Sequence, residues 1–318
     1  MTVDWLRMTN TGRGNVSQDN VLVTGSTGHL GQEIVQFLLE KMPKHRIFAS
    51  AREPRRAEAL TQQGIEVRKA DYFDFRSLVS SFEGIDKVFL VSTVAFTDRT
   101  AQHLQVIKAA QEAGVRHVLY TSIQRKGDSS QPIPWVTQSD LETERSLQES
   151  GLTYTILRNP LYLEALPLYL GNTVLEVGIL ATEGEGKAAF ASRTDLAEAS
   201  ANILTQTGHE NRDYTLNAGH PSSFQDIADA LSELAGKPVA LTKVTREAYV
   251  ERQTKGGKPV PVAEFMADWL DAIQRGEFNQ PDDTLEHVLG RKPVRLEAYL
   301  RSVYFPPNPS SKHRRPGA

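Results

Sequence analysis

The chain has 318 residues, with 36 Lys and Arg against 39 Asp and Glu for a net charge of -3. That balance gives no chain-wide attraction to nucleic acid or to an anionic membrane surface. With no cysteine at all, disulfides, thiolate catalysis and thiolate metal sites are excluded, and a reducing, cytoplasmic setting fits.

Residues 1–20 carry no apolar core of the kind a secretory signal needs and are expected to form a flexible leader. No apolar run approaches the ~18 residues required of a membrane-spanning helix. Next comes "VLVTGSTGHLGQEI" (21–34), an apolar strand, a glycine-rich turn and the start of a helix. Apolar, β-branched runs at 21–24, 46–51, 66–69, 87–92, 117–121 and 153–157 read as strands. Helical periodicity fills 28–41, 54–63, 75–82, 100–113 and 140–149 between them. Gly64, Gly84, Gly114 and Gly151 each fall between a helix and the next strand, where a left-handed C-cap is wanted. The alternation predicts an α/β fold: a doubly wound parallel sheet over 21–158, built for a nucleotide.

After Asn159 the rhythm loosens. A smaller, mostly helical C-terminal lobe is expected over 159–305, with some late elements returning to the first sheet, and a flexible basic tail over 306–318. In "SRTDLAEASANIL" Thr194 or Asp195 is placed to cap a helix. "DYTLNAG" (213–219) reads as a late strand, and Ser223 with Asp226 approximates a capping box. The stripe of Trp269, Leu270 and Ile273 has helical spacing and reads as lobe core.

Gly25, Gly28 and Gly31 meet three needs of a dinucleotide turn: a tight bend, close approach of backbone to pyrophosphate, and close packing of helix on strand. The helix that starts there offers free N–H groups and the positive end of its dipole. The second strand ends in "FASAREPRR", with Arg52 where an NAD site usually has a carboxylate, and Arg55 and Arg56 one turn on. Guanidinium groups fork onto phosphate oxygens, so NADP(H) is expected over NAD(H), against the acidic neighbour Glu53. Asp71 either accepts from the adenine amino group or serves as a turn aspartate.

The segments "VLVTGSTGHLGQEIVQFLLEK", "ASAREPRRAEALTQQGIEVRKADYFD", "VIKAAQEAGVRHVLYTSI" and "LETERSLQESGLTYTILRNPLYLE" together resemble the NmrA-like group of atypical short-chain dehydrogenases. "GEGKAAFASRTDLAEASANIL" and "YTLNAG" extend the likeness to about residue 240. Within the group the chain is most similar to the NADPH:quinone oxidoreductase type 2 branch, and beyond 240 it is nearer to other members. The resemblance implies a Rossmann-type domain, a small C-terminal lobe and a substrate cleft between them. It implies NADP(H) held by Gly25, Thr27, Gly28, His29, Leu30 and Gly31, with Arg52 at the 2′-phosphate. Ser92 and Thr93 would lie beside the ribose and nicotinamide. Tyr120, Thr121 and Ser122 would end the fifth strand next to the nicotinamide, and Asn159 and Tyr162 would face the cleft.

Ordinary short-chain dehydrogenases use a Tyr with a Lys four residues later, and none of the nine tyrosines has Lys at that offset. Relatives that act on aromatic ethers carry a Lys where this chain has Asp140, which reads instead as the cap of the following helix. Quinone reduction survives both losses, because a quinone already accepts hydride well and alignment supplies much of the acceleration. Tyr120, Ser122 and Tyr162 are the candidate hydroxyls for orienting or protonating the substrate; packing roles for each are equally open. The eight histidines show no metal-binding spacing, and His103 reads as a packing residue. The expectation is therefore an NADPH-dependent reductase of quinones or similar small electrophilic carbonyl compounds, a monomer or homodimer that binds neither nucleic acid nor membrane. The alternative is a non-catalytic NAD(P) sensor of the NmrA type.

Overall fold

The computed structural model describes residues 18–94, 97–127, 133 and 135–306. The expected leader, save Gln18–Asn20, and the expected tail, save Pro306, lie outside the described residues.

The first half of the chain alternates strand and helix: β1 (Val21–Val23), α1 (His29–Lys41), β2 (Ile47–Ala51), α2 (Glu58–Gln62), β3 (Glu66–Lys69), α3 (Phe75–Phe82), β4 (Lys87–Leu90), α4 (Arg99–Glu112), β5 (His117–Ile123), α5 (Thr137–Glu149) and β6 (Thr153–Asn159). Later come α6 (Arg193–Thr205), β7 (Arg212–Thr215) and α7 (Thr284–Leu289). The seven strands form one sheet in the order β7-β6-β5-β4-β1-β2-β3, and every pairing is parallel. The sequence explains the order. The central strands β1, β2 and β4 are buried at every position, as their mostly apolar sequences suit. The polar strands β3 and β7 take the two edges. The strand order reverses between β1 and β4, and such a reversal is where an open α/β sheet opens a crevice at its carboxyl ends.

Helices α3, α4 and α5 pack side by side, and Leu78, Phe82, Val106, Ala110 and Leu147 share a core with Leu22, Val88, Leu90, Val118 and Ile156 of the strands. Helix α1 packs on α6, and α6 on α7. The glycines expected at helix ends do adopt positive φ: 86° at Gly64, 71° at Gly84, 74° at Gly114 and 78° at Gly151. Two cap assignments need correction. Helix α6 is capped by Ser192, whose hydroxyl accepts from the Asp195 N–H at 3.1 Å, and not by Thr194 or Asp195. Helix α5 starts three residues earlier than its periodicity suggests, so Asp140 lies inside it and caps nothing.

The described residues divide into two compact units, the first falling within 1–160, 192–217 and 282–293, and the second within 161–191, 218–281 and 294–318. In the second unit, strands Ile179–Thr182 and Leu241–Val244 pair in parallel, as do Leu161–Tyr162 and Phe190–Ala191. The helix Phe224–Ala235 opens on the capping box of Ser223 and Asp226. Leu270 and Ile273 are buried on the helix Val260–Gln274, and Trp269 stacks on Phe278 with ring centroids 5.6 Å apart.

Candidate active site

The glycine turn sits at the carboxyl end of β1, beside the strand-order reversal. Gly25 takes φ +58°, a conformation that side chains resist, and its carbonyl accepts from the Gly28 N–H at 2.9 Å. A Cβ on Gly31 would lie 2.6 Å from the Gly25 carbonyl oxygen and 3.0 Å from Ser26 Cα, so α1 approaches the turn as closely as backbone allows. Gly28 differs. A Cβ there would meet only the Gly25 oxygen, at 3.3 Å, and is otherwise open. Gly28 is also the N-cap of α1, no side chain caps that end, and no acidic residue stands in the first turn. The N–H groups of His29, Leu30 and Gly31 thus occupy the helix positions that lack intrahelical acceptors. A cradle with open space, unfilled donors and no competing carboxylate fits a pyrophosphate.

The turn is fastened from beneath. Ser26 donates to the Ser50 carbonyl at 3.0 Å, and the Thr24 hydroxyl donates to the Phe89 carbonyl and accepts from the Val91 N–H, both at 3.0 Å. Tyr72, which sequence reasoning missed, contacts the Thr24 hydroxyl and donates to the Val91 carbonyl at 3.0 Å. Thr27 is half-buried beside them.

Arg52 follows β2 and is exposed. Glu53 is engaged by Arg55 at 2.8 Å, which with Arg56 and Arg52 holds its carboxyl below the usual range. The acidic neighbour is therefore matched by its own arginine. Asp71, past β3, accepts from the Phe73 N–H at 3.0 Å, an Asx turn, and Asp74 caps α3.

At the carboxyl end of β4 the Ser92 N–H donates to the Thr121 hydroxyl at 2.8 Å. The Thr93 N–H donates to His103 Nε2 at 3.1 Å, and the Thr93 carbonyl accepts from Arg99 at 2.7 Å. Nε2 accepts, so the ring proton is on Nδ1, which lies 3.0 Å from the Thr143 hydroxyl. Burial drives the His103 pKa down to about 3, with Arg99 adding to the shift, so the ring is neutral at working pH. Arg99 also donates to Asp140 at 2.6 Å. Burial lifts the Asp140 carboxyl above its ordinary value, against the pull of Arg99.

Tyr120 and Ser122 alternate with Thr121 along β5 and so share its other face. Tyr120 is fully buried, and its hydroxyl donates to Asp140. Burial, followed by the charge of Asp140, raises its pKa far above normal. Ser122 donates to Glu144, one helical turn beyond Asp140 on the same face of α5. Glu144 also accepts from Arg125 at 2.7 Å and Arg158 at 2.8 Å. These hydrogen bonds and charges overcome burial and set the Glu144 pKa at about 2. Of the candidate hydroxyls, then, Tyr120 and Ser122 donate hydrogen bonds to buried carboxylates of α5. Asn159 is buried, and its carbonyl accepts from the Gln124 N–H at 2.8 Å. Tyr162 belongs to the second unit, half-buried on the short strand paired with Phe190–Ala191. Arg99, Glu144, Arg125 and Arg158 went unread in the sequence; the one local signal was the i, i+4 pair of acids at 140 and 144.

The "SRTD" segment has a structural role. Asp195 is buried and paired with Arg291 at 2.8 Å, which ties the start of α6 to the segment after α7. Among the described residues no group of three or more His, Asp or Glu is placed to hold a metal ion. No described helix is long and apolar enough to cross a membrane.

An all-parallel sheet with a glycine turn at its switch point and an uncapped helix end above it defines the Rossmann-type dinucleotide fold. The model of the NmrA-like family matches residues 17–301. Quinone oxidoreductase 2 of Escherichia coli (strain K12) is 33% identical over 287 residues, which covers 89% of this chain and 98% of the relative. The NAD(P)H azoreductase of Xenophilus azovorans is 31% identical over 288 residues, covering 89% and 97%. The crystal structure of Citrobacter sp. triphenylmethane reductase complexed with NADP(H) matches with a TM-score of 0.83 at 32% identity, covering 89% of this chain and 99% of that one. The chain belongs to the NmrA-like family.

Proposed function

We propose that this protein transfers hydride from NADPH, in preference to NADH, to a quinone or similar small electrophilic carbonyl compound. The broader class is carried by the family and its relatives: the chain is an NAD(P)H-dependent oxidoreductase of the NmrA-like family. The observation that supports the reading most is the turn from Gly25 to Gly31, open at Gly28 and free of any acidic group in the first turn of α1.

In this reading the N–H groups of Thr27, His29, Leu30 and Gly31 hold the pyrophosphate, which approaches over the open side of Gly28. Arg52 forks onto the 2′-phosphate, and Asp71, oriented by its turn, accepts from the adenine amino group. Ser92, Thr93, Thr121 and Asn159 bind the ribose and nicotinamide half. Bound there, NADPH supplies the hydride. Orientation carries most of the acceleration, because a quinone accepts hydride without a strong acid beside it. With Tyr120 and Ser122 committed to Asp140 and Glu144, the product anion takes its proton from water or from Tyr162.

The test mixes purified protein with NADPH or NADH and a panel of small quinones and follows the absorbance of the reduced coenzyme. Oxidation that is faster with NADPH is expected. No oxidation across the panel by a protein that binds NADPH would instead identify a non-catalytic sensor.

A further inference from the structure

The cluster of Arg99, His103, Tyr120 and Asp140 lies inside the first unit, and each member is under 9% exposed. Two of its arms close on one residue at the end of β4. The Thr93 N–H reaches His103 Nε2 at 3.1 Å, and the Thr93 carbonyl is reached by Arg99 at 2.7 Å. The other ends of both arms are fixed by α5 and β5. His103 Nδ1 bonds the Thr143 hydroxyl at 3.0 Å, which in turn donates to the Ser139 carbonyl at 2.7 Å. Tyr120 stands edge-on to the imidazole, centroids 5.3 Å apart. Asp140 takes Arg99 and the Tyr120 hydroxyl together. One residue before, the Ser92 N–H is held by Thr121. The main chain of Ser92 and Thr93 is thus pinned at three polar atoms from within the core.

A buried ion pair is a poor way to gain stability, since well-packed apolar side chains of similar volume often do better. Its convergence on a single residue at the sheet's switch point calls for another account. We infer that Asp140, acting through Arg99, is a positioning residue: with His103 and Tyr120 it fixes the Ser92–Thr93 backbone that receives the nicotinamide half of the coenzyme. The inference rests on the proposed dinucleotide site. It gives Tyr120 a task that needs no contact with substrate, and it gives Asp140 one that a helix cap would not.

The test separates the two halves of the coenzyme. Wild-type protein, Asp140→Asn and the double variant Arg99→Met/Asp140→Leu are titrated calorimetrically with NADPH and with adenosine 2′,5′-bisphosphate, which lacks the nicotinamide half. The double variant leaves no unpaired buried charge and keeps the experiment decisive if Asp140→Asn folds poorly. Fluorescence of the reduced nicotinamide is read at saturating protein. The expected result is bisphosphate affinity within about threefold of wild type, NADPH affinity down by about tenfold, and bound-NADPH fluorescence that moves toward that of the free coenzyme. Equal losses for both ligands, or no loss for either with unchanged fluorescence, overturn the positioning role and leave the dinucleotide site standing. Failure of the wild-type protein to bind either ligand overturns the site and the inference with it.

Discussion

Gly28 and Gly31 share one turn but face different surroundings, and replacing each by alanine separates folding from binding. At Gly31 the new methyl would sit 2.6 Å from the Gly25 carbonyl oxygen, 3.0 Å from the Gly25 carbonyl carbon and 3.0 Å from Ser26 Cα. All three are backbone atoms, and Gly25 is already held at φ +58° by the turn, so no side chain can swing aside. Relief requires α1 to lift from β1, the class of overpacking that costs about 1–3 kcal/mol. The expected fall in Tm is about 2–4 °C for each kcal/mol in a unit of this size. At Gly28 the nearest atom is the Gly25 oxygen at 3.3 Å, with nothing else within reach, and its φ of −87° suits alanine. Gly28→Ala should therefore change stability by no more than about 1 kcal/mol. Its methyl would occupy the open side, where the pyrophosphate approaches, and NADPH affinity should fall about tenfold or more. Differential scanning fluorimetry and calorimetric titration measure the two effects independently. If Gly31→Ala melts with the wild type, or Gly28→Ala binds NADPH as the wild type does, the assignment of one glycine to packing and the other to ligand is refuted.

Arg52→Glu should weaken NADPH by about 1.5–3 kcal/mol through loss of a charged hydrogen bond, and NADH far less; equal losses in parallel titrations would contradict a 2′-phosphate contact. Glu144→Gln removes the carboxylate shared by Arg125 and Arg158 and should cost about 3–5 kcal/mol in urea denaturation, as for other broken buried pairs. The folded-state pKa of Glu144 is depressed from 4.5 to about 2, so its stabilisation is complete above pH 4.5 and is lost as pH falls toward 2. That loss of about 3 kcal/mol should be missing from the acid limb of the Gln variant. His103 at about 3, with His117 and His209 at about 4, lies below the ordinary 6.5. Their neutral forms favour the fold above pH 6.5, and the denaturation midpoint should start to drop below that pH, before Glu144 titrates. Tyr162→Phe should lower quinone turnover and leave the NADPH dissociation constant unchanged; equal turnover would assign the proton to water.

The parallel sheet was readable because its evidence is local and repeated. Strands β1, β2 and β4 are mostly apolar runs, and each glycine at the end of α2, α3, α4 and α5 announces the turn back into the sheet. The glycine turn was readable for the same reason: its three functions fall within seven residues. Helix α5 was misread at its start. The pattern before Asp140 is polar on its outer face, and no side chain caps the helix at Val136. Asp140 therefore looked like a terminus when it is a buried anion. Its partners Arg99 and Tyr120 lie 41 and 20 residues away in the chain, a separation no window of periodicity spans. Ser192 lost its place as a cap to Thr194 and Asp195 because all four side chains of a run such as Ser-Arg-Thr-Asp are polar, and only backbone direction distinguishes them.

The first unit is closed by segments that arrive late. Helix α6 covers α1, β7 completes the edge beside β6, and Arg291 clasps Asp195. A nascent chain emerging from the ribosome with residues 1–160 already carries every glycine of the turn, yet its β6 edge is bare and one side of α1 is unpacked. Such an edge is a template for pairing with another chain. Synthesis must pass residue 293 before the last of these surfaces is covered, so the nucleotide-binding unit matures only after much of the second unit has also been made. Until then its safety from aggregation rests on whatever shields the waiting edge.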